Sequence, residues 1–140
     1  MSEEKAQQLL YQMQMLESYF AELTQKENTL MSVLRDTKNA INSLKEMDEK
    51  KEYKALTPLG MGTFVKSKIS SDDKIVLNVG AGIAIEKDRD SAINFLESRI
   101  KEIEVALQES TAQKQNIAAQ LEQGKAEMNR LAESVSKDKK

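Results

Sequence analysis

Counting along the chain from Leu9 in alternating steps of four and three picks out Leu9, Met13, Leu16, Phe20, Leu23, Glu27, Leu30, Leu34, Thr37, Ile41 and Leu44. Only Glu27 and Thr37 in that series are polar. A 3.5-residue apolar repeat held this long predicts a helix paired lengthwise with another. The same count from Ile93 gives Ile93, Leu96, Ile100, Ile103, Leu107, Ser110, Lys114, Ile117, Leu121, Gly124, Met128, Leu131 and Val135, broken at Ser110, Lys114 and Gly124. Two helical arms are therefore expected, the first running from Ser2 to about Glu52 and the second from Asp88 to about Ser136. Asp88 or Asp90 is placed to cap the second arm.

The two seams match when one is reversed. With Leu44 facing Ile93, Glu27 falls opposite Ser110, and Lys114 stands one turn further along, within reach of Glu27. Gly124 falls opposite Met13, a small residue against a large one. The polar interruptions thus share one layer, as an antiparallel helical hairpin requires. Glu27→Leu is expected to raise stability, because it fills a seam gap with apolar volume. A marked loss instead would mean that Glu27 is tightly paired, with Lys114 as the partner.

Between the arms the pattern changes. Residues 53–87 hold the single proline and four of the five glycines. Thr63–Ile69 reads as a strand with Val65 and Ile69 on one face and Phe64, Lys66 and Lys68 on the other. Lys74–Val79 alternates as a second strand, with Ile75, Leu77 and Val79 on one face, and Ile83–Glu86 as a third. Ala55–Thr57 is a short fourth. Thr57-Pro58-Leu59-Gly60 fits a type I turn, with Pro in its second place. Two hairpins follow, one around Pro58–Gly60 and one around Gly80–Gly82. The expected fold class is α+β: a long antiparallel coiled-coil hairpin with two central β-hairpins. Its parts are 1–52, 53–87 and 88–140, within one domain.

Four short strands cannot bury both faces of a sheet, and unpaired edges recruit further strands. Phe64, Val65, Ile69, Ile75, Leu77, Val79, Ile83 and Ile85 are therefore the candidate oligomerisation residues. Asp at Leu77 and Val79 is expected to give helical monomers. A sheet folded against its own helices is the competing reading.

Val79-Gly80-Ala81-Gly82-Ile83-Ala84 also fits a G-x-G-x-x-A dinucleotide fingerprint. That site needs a helix opening at the glycines, with its N-terminus on the pyrophosphate. Here a strand pattern follows instead, so a tight turn is the better account.

Composition narrows the chemistry. Histidine and cysteine are both absent, which removes the commonest general base, the thiol nucleophile and the usual zinc ligands. No enzyme activity, cofactor or metal site is expected. A net charge of −2 with both signs interspersed argues against nucleic acid as a partner. No apolar run approaches a membrane span and the N-terminus lacks a signal-like core, so an intracellular protein is expected.

The helix–two hairpins–helix order, with ALTPLGMGTFVKSKI and DKIVLNVGAGIAIEKD between the arms, resembles the prefoldin family in its archaeal α class. The resemblance covers essentially the whole chain, and the second hairpin is what separates the α from the β class. It implies a cytoplasmic, ATP-independent chaperone in which two α and four prefoldin β subunits join their hairpins into an intersubunit β-barrel. The open coil ends would capture unfolded client proteins and pass them to a group II chaperonin. The alternatives are a filament built from α-like subunits alone and a structural, tethering coiled coil.

The residues supply a physical basis for such capture. The arms end together, where Leu9, Leu10, Tyr11, Met13, Met15 and Leu16 meet Met128, Leu131 and Val135. Methionine-rich, frayed surfaces suit binding to many sequences. At the seam positions, finishing the coil core is the simpler role. Leu10, Tyr11 and Met15 lie off the seam, and binding suits Leu10 and Tyr11 better.

Overall fold

A computed structural model describes residues 2–47 and 52–138. Helix α1 spans Ser2–Glu46, followed by strands β1 (Glu52–Gly60), β2 (Thr63–Ser70), β3 (Ile75–Gly80) and β4 (Ile83–Lys87), and then helix α2 (Arg89–Asp138). β1 pairs antiparallel with β2, and β3 with β4, as two separate two-stranded sheets. The chain divides into two compact units. One combines the stretch up to Ser32 with that from Glu104 onward, and the other is Val33–Ile103.

Neither Gly nor Pro interrupts α1, and α2 contains only Gly124. All eleven seam residues of α1 and all thirteen of α2 are buried or half-buried. Thr37 tolerates its seam place because its hydroxyl donates to the Val33 carbonyl at 2.7 Å, one turn back. Asp88 starts α2: its Oδ1 accepts the Ser91 backbone N–H at 2.8 Å. That bond to the ionised form holds the Asp88 carboxyl below its ordinary value of 3.8. The last turn of α1 is capped from elsewhere in its unit. The Tyr53 hydroxyl donates to the Glu46 carbonyl at 2.9 Å, and an Arg89 N–H reaches the Leu44 carbonyl at 3.5 Å. These bonds satisfy carbonyls that the helix cannot pair itself.

The two hairpins share one construction. Met61-Gly62 and Ala81-Gly82 form the two-residue loops, with φ of 48° and 72° in the first and 54° and 74° in the second. Positive φ at both positions is the type I′ turn, whose twist matches that of paired strands. Just before each loop the register shifts, between Pro58 and Gly60 and between Asn78 and Gly80. In the second hairpin the Asn78 side chain accepts the Gly80 N–H at 3.0 Å across that shift.

The first turn therefore differs from the type I turn expected at Thr57–Gly60. Pro58 lies inside β1, paired with Phe64, and β1 runs nine residues rather than three. Proline is tolerated there because every strand of a two-stranded sheet is an edge, so its missing N–H need not break the ladder. The fingerprint-like Gly80-Ala81-Gly82 is a hairpin loop leading into β4, with no helix at the glycines.

In the Val33–Ile103 unit, Leu44, Leu77 and Ala92 form the core, joined by Met47, Ile75, Val79, Ile85, Ile93, Phe95 and Leu96. The alternation of β3 and β4 thus turns one face of the second hairpin onto the helices. Lys87 and Arg99 place their charges 5.9 and 5.2 Å from the Phe95 ring centre, which closes the side of this core by cation–π contact.

Candidate functional site

Three surfaces carry the residues singled out from sequence. The first lies in the unit containing both helix ends. There Leu9, Met13, Leu16, Met128, Leu131 and Val135 occupy the seam and are half-buried. Leu10, Tyr11 and Met15 are 47%, 64% and 58% exposed, with no place in that seam. Tyr19, 45% exposed, continues the row from Tyr11 and Met15 at intervals of four, so the three stand one above another on the helix. The seam count skips Tyr19. Only a second count along the outer face, 11-15-19, finds it.

An open groove of about 300 Å³ runs along the seam among Leu9, Met13, Leu16, Gln120 and Gly124. At Gly124 a Cβ would stand 3.0 Å from Cγ and Sδ of Met13, so the missing side chain is what admits the methionine. Small against large across the pair places the two arms antiparallel in the register read from sequence.

The second surface is the polar layer further along the same unit. Lys114 Nζ lies 3.1 Å from Glu27 Oε2, and the Thr111 hydroxyl donates to Glu27 Oε1 at 3.3 Å. The two charged side chains are about four-fifths withdrawn from water, at 20% exposure for Lys114 and 19% for Glu27. The ammonium also sits 4.8 Å from the centre of the Phe20 ring. Ser110 is 2% exposed, and its hydroxyl has no hydrogen-bond partner among the described residues. Glu27 is therefore paired. Removing it alone would strand Lys114, so the stabilising outcome of Glu27→Leu gives way to the destabilising one.

The third surface is the hairpins. Of the eight candidate oligomerisation residues, Ile75, Leu77, Val79 and Ile85 pack into the chain's own hairpin–helix core. Asp at Leu77 or Val79 would break that core directly and would not act on assembly alone. Ile69 is half-buried. Phe64, Val65 and Ile83 are 57%, 47% and 56% exposed, and stand where another chain can cover them. The sequence reading missed Leu56, Leu59, Met61 and Val76, which are 62%, 68%, 103% and 63% exposed. For Val76 the signal is the opposite phase of the β3 alternation. Once Leu77 points inward, Val76 must point outward.

Among the described residues no group of three or more Asp or Glu is placed to hold a metal ion. Among them, too, no helix is long and apolar enough to cross a membrane. The arrangement offers contact surface: an apolar, partly aromatic row on the coil and uncovered hairpin edges and faces.

Comparison with known proteins agrees. The sequence matches the family model for prefoldin subunits over residues 9–134. It is 56% identical over 135 residues to prefoldin subunit alpha of Nitrosopumilus maritimus, covering 96% of this chain and 93% of that one. Against prefoldin subunit alpha of Pyrococcus horikoshii it is 31% identical over 132 residues, covering 92% and 86%. Two solved structures share the fold. Filamentous PFD from Methanocaldococcus jannaschii superposes with a TM-score of 0.70 at 22% identity, over 81% of this chain and 95% of that one. The prefoldin beta subunit from Thermococcus strain KS-1 gives 0.63 at 16% identity, over 90% of each.

Proposed function

Because the chain belongs to the prefoldin family and is a chaperone subunit, we propose that it holds unfolded polypeptide on the open ends of its coil, without nucleotide and without catalysis of its own. In this reading it is the α-class member of a mixed complex, two copies with four β-class subunits. Their hairpins close with its own into a β-barrel, and clients pass on to a group II chaperonin in the cytoplasm.

The observation that carries the capture step is the exposure of Leu10, Tyr11 and Met15 beside a seam that is already complete. Single exposed apolar residues are ordinary on any surface. Neighbouring apolar residues on consecutive turns, continued by Tyr19, make a patch. Its members are the types that adapt to varied partners: flexible thioether, aliphatic and amphipathic ring. Binding by several such coils at once would raise the effective concentration of each, so weak individual contacts suffice.

The test deletes residues up to Leu16 together with those from Met128 onward, leaving every hairpin residue in place. Complexes of confirmed native stoichiometry are mixed with a chemically denatured client diluted into buffer, and aggregation is followed by light scattering. Truncated complexes should assemble normally but lose most of their suppression. Suppression equal to that of the intact complex would move the binding site off the coil ends.

A further inference from the structure

We propose that the glutamine side chains bordering the apolar row of α1, Gln7, Gln8, Gln12 and Gln14, hydrogen-bond to unpaired backbone N–H and C=O groups of the polypeptide held there. The client is then chosen by its free peptide groups and not by its side chains. This names the recognition chemistry of the coil ends, and it rests on the capture reading above.

The glutamines are distributed unevenly. All ten in the chain lie in the unit made of residues 1–32 and 104–140, and the other unit, of nearly equal length, has none. All ten are exposed. None of their side-chain amides hydrogen-bonds to another described residue. Helix formation does not explain the choice, since lysine, glutamate and glutamine favour helix about equally. The helical stretches of the Val33–Ile103 unit use charged residues at such places, among them Arg35, Lys38, Glu97 and Lys101.

The amides gather at the apolar row. The residues three and four places from Tyr11 are Gln7, Gln8, Gln14 and Met15, which makes them its neighbours on the helix surface. No charged residue occurs between Lys5 and Glu17. Gln12 lines the seam groove with Gln120 and Gln123, where Glu127 is the one charged residue.

A side-chain amide offers N–H donors and a carbonyl acceptor, the complement of a peptide group. A folded protein has paired nearly all its buried peptide groups in its own strands and helices, and an unfolded segment has not. Amides therefore hold non-native chain without regard to its charge, whereas Lys or Glu in their place would favour clients of opposite sign. The same chemistry sets other occupants aside. A phosphate surface, of nucleic acid or lipid, needs cations that the row lacks, and hydrocarbon would leave the amides unsatisfied. The coil of a second copy offers only helical backbone that is already paired.

The experiment uses the intact complex and fluorescent, carboxymethylated α-lactalbumin as a permanently unfolded client, with binding read by anisotropy. A short unstructured peptide of Ala, Leu and Ser, and the same peptide N-methylated along its backbone, are added as competitors. The plain peptide should displace the client at about a tenfold lower concentration than the methylated one, although methylation makes it more apolar. The Gln8→Met/Gln12→Met/Gln14→Met variant should hold the client about tenfold more weakly, although its row is more apolar. The matching Gln→Asn variant should stay within about threefold of wild type. Circular dichroism checks the helices of both variants, and the peptide comparison needs no variant at all. If the wild-type complex does not hold the client, the capture reading fails. If it does, and the methylated peptide competes as well as the plain one, this proposal alone is overturned. A Gln→Met variant that holds the client at least as tightly as wild type would also overturn it, and apolar contact would then carry capture.

Discussion

The two units bury apolar side chains with different numbers of layers. In the unit carrying the helix ends, two helices face each other alone, and a two-helix seam can cover only the side chains that point along it. Leu23 and Ile117 are buried to 4% exposure, yet Leu10, Tyr11, Met15 and Tyr19 stay in water because no third element is there. In the Val33–Ile103 unit the second hairpin supplies that third layer. Leu77 comes down on Leu44 and Ala92, and off-seam residues such as Phe95 find cover. On the coil, exposed apolar surface is thus what remains where two helices stand alone, and a small core is what the second hairpin adds.

The same charge placed in each unit should have very different effects. Leu77→Asp should cost several kcal/mol, since a carboxylate enters an apolar core. Tyr11→Asp, at a position 64% exposed, should leave the melting temperature nearly unchanged. Thermal unfolding followed by circular dichroism, with amide exchange in β3 and β4, reads both. Equal sensitivity at the two sites would show that Leu77 is not part of a third layer.

Glu27→Leu should destabilise by about 1–3 kcal/mol, because it leaves a withdrawn ammonium unpaired. Adding Lys114→Met should recover that loss or more, as replacing a whole buried ion pair by apolar residues often does. A denaturant series on the two single variants and the double variant gives the coupling. If Glu27→Leu alone is stabilising, the 3.1 Å pair is not held in solution.

Gly124→Ala sets two terms against each other. Alanine gains about 1 kcal/mol of helix propensity, but its Cβ meets Met13 at 3.0 Å. Met13 is flexible enough to yield, so a net gain below about 1 kcal/mol is expected from the same denaturant series. A loss would show that Met13 cannot yield and that the seam is packed rigidly at Gly124.

The smallest effect concerns the start of α2. The Asp88 carboxyl is depressed chiefly by the Ser91 backbone bond, and further by Lys74 and Lys87. A depressed folded value means that its contribution is complete above the unfolded carboxylate range and is lost as pH falls through the folded value. The wild type should therefore lose a little more stability on acidification below the ordinary 3.8 than Asp88→Asn, whose amide oxygen still caps but does not titrate. Parallel acid limbs of melting temperature against pH for the two chains would remove Asp88 from the account.

The helical arms, their seam residues, their antiparallel register and the polar layer were legible in the sequence, except that the first arm stops at Glu46 and Glu52, expected at its end, already belongs to β1. The reason is that a 3.5-residue repeat is a one-dimensional signal, and its exceptions, Glu27 with Lys114 and Met13 with Gly124, carry the alignment themselves. The G-x-G spacing at 60–62 and again at 80–82 also marks both type I′ loops, although Pro58 pulls a reading by turn preference three residues too early. Period-two alternation shows that Ile75, Leu77 and Val79 share a face, but it is symmetric between a face turned to another chain and one turned to the chain's own helices. Only the tertiary structure decided that, by bringing Leu44 and Ala92 from positions far apart in sequence against Leu77. It also decided which apolar side chains stay uncovered, among them Tyr19, Met61 and Val76. Exposure depends on how many layers meet at a point in space, and no periodicity along a single chain records that.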